Sequence, residues 1–127
     1  MKPLTPEWIS KAEGDFATAQ RELRARKQPN YDSACFHSQQ CSEKYLKAIL
    51  QENSVPIPKV HDLLSLLDLL LPIDSSWEMH RSILSELSLF AVHFRYPGES
   101  AGREDAKRAL RMCRHIRHHA RKTLGLE

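Results

Sequence analysis

Residues 31–50 read YDSACFHSQQCSEKYLKAIL. Ala34, Cys41, Tyr45 and Ala48 fall on one line of a helical repeat, so the stretch is an α-helix with a face of small and apolar side chains. Beside that line, His37, Gln40, Lys44 and Lys47 advance by three, four and three residues and form a polar row. Two readings of the row stay open. It is ordinary solvent exposure, with lysine stems covering apolar neighbours, or it is a strip that borders a second subunit or a nucleotide. Glu43 and Lys47 sit four apart in the favourable order and read as a surface ion pair.

The flanking sequence repeats the helical pattern. Upstream, Thr5 reads as an N-cap with Pro6 at the first helical position. Trp8, Ala12, Phe16, Ala19 and Leu23 then form one buried stripe, and Gln28, Pro29 and Asn30 end that helix. The helix opened at Tyr31 runs to about Asn53. SVPIPK, residues 54–59, is a proline-pinned connection. A leucine-rich helix follows from Val60 to Leu71, capped by His61 and Asp62 and stopped by Pro72. Asp74, Ser75 and Ser76 offer caps for a helix from Trp77 to Phe94. RYPGESAG, residues 95–102, breaks the chain before a last helix, Arg103 to Leu124, with Ala106, Ala109, Leu110, Cys113, Ile116, Ala120 and Leu124 inward. No strand pattern competes anywhere. The expected fold is all-α: an up-and-down four-helix bundle with an additional short helix, in a single domain over residues 1–127. Leu63, Leu64, Leu66, Leu67, Leu69, Leu70 and Leu71 wrap around more of their helix than one face hides, which predicts a homodimer.

An apolar fraction of 41% supplies a core, and a charged fraction of 28% excludes a disordered chain. The net charge of +3 is unevenly spread. Residues 103–127 hold eight Lys/Arg and three acids, giving +5, whereas residues 1–102 hold eleven and thirteen, giving −2. The last helix is thus a basic rod. It attracts phosphate, or it is a solvated face whose acids and bases follow the helix dipole. Cys35, Cys41 and Cys113 are odd in number and lie in apolar-periodic helices, as small core residues of a reducing compartment do. MKPLTPEWIS has no apolar signal core, and LLSLLDLLLP is too short and too interrupted to span a bilayer. A cytoplasmic protein without membrane attachment is the expectation.

The succession EWISKAEGDF, YDSACFHSQQCSEKYLKAIL, KVHDLLSL and FAVHFRYPG resembles the HEPN domain (higher eukaryotes and prokaryotes nucleotide-binding) from about Trp8 to the last helix. The resemblance implies a helical bundle that usually dimerises. Many members are encoded beside a small nucleotidyltransferase, in toxin–antitoxin or defence-type pairs. Some are metal-independent ribonucleases, and others bind nucleotides or serve as non-catalytic partners. The family's ribonuclease motif is an Arg and a polar residue followed, after a few positions, by His.

Here the sequence departs from that motif. After Arg95 come Tyr96 and Pro97, and positions 100–102 are Ser, Ala and Gly, with no histidine. A literal match recurs at Arg114 and His119, and the looser pairs Arg108–His115 and Arg111–His118 also fit. Residues five apart on a regular helix stand about 140° around its axis, so Arg114 and His119 converge only if the helix is distorted. His115, His118 and His119 lack a third ligand, and the arginines around them repel a cation, so no metal is expected. Arg95 and Tyr96 fall where a helix ends. Arg95 holds a phosphate there or pairs with a carboxylate, and Tyr96 stacks on a base or packs under the turn.

The expected function is a binding and regulatory protein, partner of a nucleotidyltransferase, with nucleotide or RNA phosphate at Arg95, Tyr96, His37, Lys44 and Lys47 and no cofactor. The alternatives are a metal-independent ribonuclease using Arg114 and His119, and a purely structural interaction bundle.

Overall fold

Small side chains let the helix at residues 31–52 be approached from several sides, and the fold follows from that. A computed structural model describes residues 1–126. Its elements are α1 (Thr5–Arg24), α2 (Tyr31–Glu52), α3 (Leu63–Leu70), a 3₁₀ turn (Ser75–His80), α4 (Arg81–His93) and α5 (Arg103–Thr123). No strand occurs among the described residues. The four long helices and the short α3 form the expected all-α bundle.

The central element is α2, which contacts α1, α3, α4 and α5. Thirteen of its 22 residues are buried, including every one from Tyr45 to Leu50, so it has no single inward face. Ser38 and Ser42 sit inside because each hydroxyl donates to the carbonyl one turn back, at 2.8 Å to Ala34 and 3.1 Å to Ser38. Tyr45, Leu46, Ile49 and Leu50 join Leu63, Leu66, Leu67, Leu70, Trp77, Leu84, Leu87 and Ile116 in one core. By contrast α5 has one clean stripe. Ala106, Ala109, Leu110, Cys113, Ile116 and Ala120 point inward as read, together with Met112, and Leu124 is half-buried.

Several helix ends differ from the sequence reading. Thr5 is the first residue of α1 rather than its cap. It is fully buried, and its hydroxyl donates to Glu52 at 3.0 Å, tying the start of α1 to the end of α2. Asn30, read as the end of the first helix, caps the second by accepting from the Ser33 amide at 2.9 Å. Asp62 caps α3, so that helix starts at Leu63, and His61 takes another role. Asp74 opens a 3₁₀ turn, and the α-helix expected from Trp77 begins at Arg81.

The leucine argument for a second subunit also changes. Leu63, Leu66, Leu67 and Leu70 are buried within the chain, Leu64 and Leu71 are partly covered, and only Leu69 is exposed, at 36%. More exposed apolar side chains lie on α4 and beside it, Leu89 at 66%, Val92 at 52% and Met79, and at the start of the chain, Met1 and Leu4.

A groove walled by α2, α3 and α4

Where α4 runs out, Arg95 donates its amide to the Val92 carbonyl and the chain turns through Gly98, whose φ of +91° suits glycine. This places Arg95 at one wall of a groove of about 460 Å³. Ser88, Ala91, Val92 and Arg95 come from α4 and its end, Phe36, Gln39 and Gln40 from α2, and His61 and Asp62 from the entry to α3. The volume lies in the range of small-ligand sites. Arg95 makes no ion pair among the described residues. Tyr96 is exposed and lies outside the groove lining.

Beneath the α2 wall lies a polar cluster. Glu43 is 2% exposed and Lys47 6% exposed, with Nζ 3.0 Å from Glu43 Oε2. The expected pair therefore exists, but it is buried rather than on the surface. Lys47 also lies 5.6 Å from the Trp8 ring centre, in cation–π range. Gln39 donates to Glu43 at 3.3 Å and to the His61 carbonyl at 3.0 Å, and it accepts from Gln40 at 2.8 Å. His61 Nδ1 donates to the Glu43 carboxylate at 3.2 Å, yet the His61 side chain is 81% exposed. Asp62 is occupied by capping: it accepts from the Leu64 amide at 3.0 Å and from the Ser65 hydroxyl at 2.8 Å.

The polar row of α2 is mostly engaged inside the bundle. Asp15, buried on α1, accepts from His37 at 2.7 Å and from Lys44 at 2.5 Å. With Lys47 on Glu43, three members of the row have carboxylate partners in the chain, and Gln40 faces the groove. Neither Lys44 nor Lys47 offers an unmatched charge to a phosphate.

Arg114 and His119 are not brought together. α5 continues unbroken past both, Arg114 is exposed, and His119 leans on the 3₁₀ turn. The His119 ring stacks on Trp77 with centroids 4.2 Å apart and planes 3° from parallel, and its Nδ1 meets His80 Nε2 at 2.8 Å. Burial, followed by the neighbouring His119 and His115, holds the His80 pKa down at about 4. Burial also lowers that of His119. Both imidazoles thus resist protonation and serve to dock the turn onto α5.

Much of the basic rod is likewise matched. Arg117 donates to both oxygens of Glu13 at 2.7 and 2.8 Å and covers the Phe16 ring at 4.5 Å. Tyr45 donates to the same carboxylate, and Arg121 donates to the Tyr45 hydroxyl at 3.1 Å. Arg117 holds the Glu13 carboxyl below the usual range, while burial and Glu13 push the Tyr45 phenol up. Arg108 pairs with Glu86. The cysteines are buried thiols, and burial raises Cys35 to about 12. Among the described residues, no group of three or more His, Cys, Asp or Glu is arranged to hold a metal, and no helix is long and apolar enough to cross a membrane.

Sequence reading missed His61 as a groove residue, because a histidine beside a capping Asp looks like part of the cap. The signal for it was Glu43, a carboxylate beside the small and apolar line of α2.

Comparison with known proteins gives one answer across nearly the whole chain. The profile of the HEPN domain matches residues 5–123. The crystal structure of TT1696 from Thermus thermophilus superposes with a TM-score of 0.81 at 25% identity, covering 96% of this chain and 99% of that one. The structure of ST0689, an archaeal HEPN homologue, gives a TM-score of 0.73 at 23% identity over 96% and 98% of the two chains, a likeness of fold. No curated protein matches the sequence.

Proposed function

The chain belongs to the HEPN domain family, and we propose that it is a binding and regulatory module whose groove between α2, α3 and α4 holds a phosphate-bearing ligand, a nucleotide or RNA. The observation that carries this reading is Arg95. Its guanidinium is the one arginine on the groove lining and has no carboxylate partner among the described residues. A guanidinium in that position is suited to bind phosphate through paired N–H donors. Across the groove, the partly exposed Phe36 offers a ring face for a base, and Gln40 offers amide chemistry to a base edge or ribose.

Binding is favoured over cleavage because no histidine follows Arg95 in the motif position, and because His119 is engaged with Trp77 and His80. The proposal extends to a homodimer through the outer face of α4, where Leu89 is exposed and lies off the groove lining. It also includes a nucleotidyltransferase partner in a toxin–antitoxin or defence-type pair, which rests on family membership.

Titration of a fluorescent nucleotide and a short labelled RNA against the protein and Arg95→Ala tests the central point. Loss of a charge-assisted contact predicts affinity lower by about tenfold or more in the variant. Equal affinity of the two proteins for both ligands refutes the groove assignment. Co-purification with a small nucleotidyltransferase of the same organism tests the partnership.

A further inference from the structure

His61 combines two properties that a merely structural histidine does not need. Its ring is largely exposed on the groove, and one nitrogen is tethered to a carboxylate that is itself inside the protein. Glu43 is held in turn by Lys47 and Gln39, so the tether is rigid. A carboxylate accepts only, so Nδ1 carries the proton of that bond, and Nε2 has no partner among the described residues. The other charged groups on the groove lining are Asp62, a carboxylate whose oxygens accept from the Leu64 amide and the Ser65 hydroxyl in the α3 cap, and Arg95 from the end of α4.

We propose that His61, oriented by Glu43, is the second phosphate ligand of the groove, and that with Arg95 it selects a terminal phosphate, the phosphomonoester of a nucleotide or of an RNA end. This rests on the groove reading above. With Nδ1 donating to Glu43, an Nε2–H that donates to phosphate makes the ring an imidazolium. The lining then presents two cations to one phosphate. An internal phosphodiester carries one negative charge and two ester links. A terminal phosphate carries up to about two charges and three acceptor oxygens, which matches two cationic donors. Lys47 matches the charge of Glu43, so the tether does not cancel the positive lining. Glu43 acts through His61 and is a positioning residue.

Paired ligands test the idea: AMP against adenosine, and a short oligoribonucleotide with a 5′-phosphate against the same oligomer with a 5′-hydroxyl. The AMP and oligomer arms separate a free nucleotide from an RNA end. Calorimetry is expected to show a preference for the phosphorylated member of roughly tenfold or more, the scale of a charge-assisted bond. His61→Gln, at an exposed position, is expected to keep the fold and lose most of that preference. The Nε2 resonance of His61 in nitrogen NMR is expected to shift when the phosphorylated ligand is added and not when its unphosphorylated counterpart is, a response that a structural role would not produce. An unchanged preference in His61→Gln overturns the assignment of His61 and leaves the groove standing, as does equal binding of the two oligomers when AMP still binds better than adenosine. Equal binding of AMP and adenosine overturns the phosphate role of Arg95 for a nucleotide as well. Binding of none of the four overturns the groove reading and this inference together.

Discussion

Replacing Glu43 by alanine distinguishes a surface ion pair from a buried one. In the wild type, Lys47 Nζ is 3.0 Å from Glu43 Oε2, and both residues are almost fully buried. Without the carboxylate, the Lys47 ammonium keeps only the Trp8 ring, 5.6 Å from its centroid, and Gln39 and His61 lose an acceptor. Removing one partner of a buried pair costs about 3–5 kcal/mol, whereas an exposed pair is worth about 0–1 kcal/mol. Against a typical domain stability of about 5–15 kcal/mol, the larger figure is visible at once in urea denaturation. The double variant Glu43→Leu with Lys47→Met removes both charges and is expected to recover most of the loss, since well-packed apolar replacements of buried pairs are often neutral. A cost below about 1 kcal/mol for Glu43→Ala, with no recovery in the double variant, would refute the buried arrangement and return the pair to solvent.

Three further outcomes follow from the geometry. His80 is kept neutral in the fold at a pKa of about 4, against 6.5 in the unfolded chain. The unfolded state therefore takes up the proton first, and this contribution is present above pH 6.5 and lost as pH falls towards 4. Urea unfolding at about pH 7 and about pH 5 should differ by about 2 kcal/mol in the wild type from this group, and the difference should shrink in His80→Gln. Asp15→Asn leaves the Lys44 ammonium without its carboxylate and should cost about 1–3 kcal/mol, read by the same denaturation. The proposed homodimer through α4 predicts that the wild type runs as a dimer in light scattering and Leu89→Glu as a monomer without loss of helicity; an equal mass for the two would exclude that face.

The helices and the α5 stripe were legible because a helix with one buried face writes its orientation into its period. α2 does not do so, and the reason is physical. Surrounded by four helices, it buries polar and apolar side chains alike, and the polar ones are admitted where another helix or a residue of the same turn supplies a partner. Asp15 on α1 admits Lys44 and His37, and Glu43 admits Lys47. Those partners are distant in sequence or hidden by an apparently surface-like i,i+4 spacing, so the polar row resembles a solvent edge. The basic rod is matched in part for the same reason, while Arg103, Arg111 and Arg114 remain exposed. Its charge is as counted, but Glu13 and Glu86 from other helices neutralise Arg117 and Arg108. Arg95 was legible as a position because Tyr96-Pro97-Gly98 announces the end of a helix, while the groove in front of it needed α2 and the entry to α3 to be placed.

A cation that pairs with a carboxylate in its own chain is less available to phosphate, because an anionic ligand must compete with that carboxylate. Lys44, Lys47, Arg108 and Arg117 each have such a partner, whereas Arg95 on the groove lining has none among the described residues. His61 stands between the two classes. Its carboxylate is at Nδ1, on the side away from its partnerless Nε2, so the bond to Glu43 fixes the ring without consuming the nitrogen left for a ligand. That asymmetry allows one histidine to be held by the bundle and remain open to the groove.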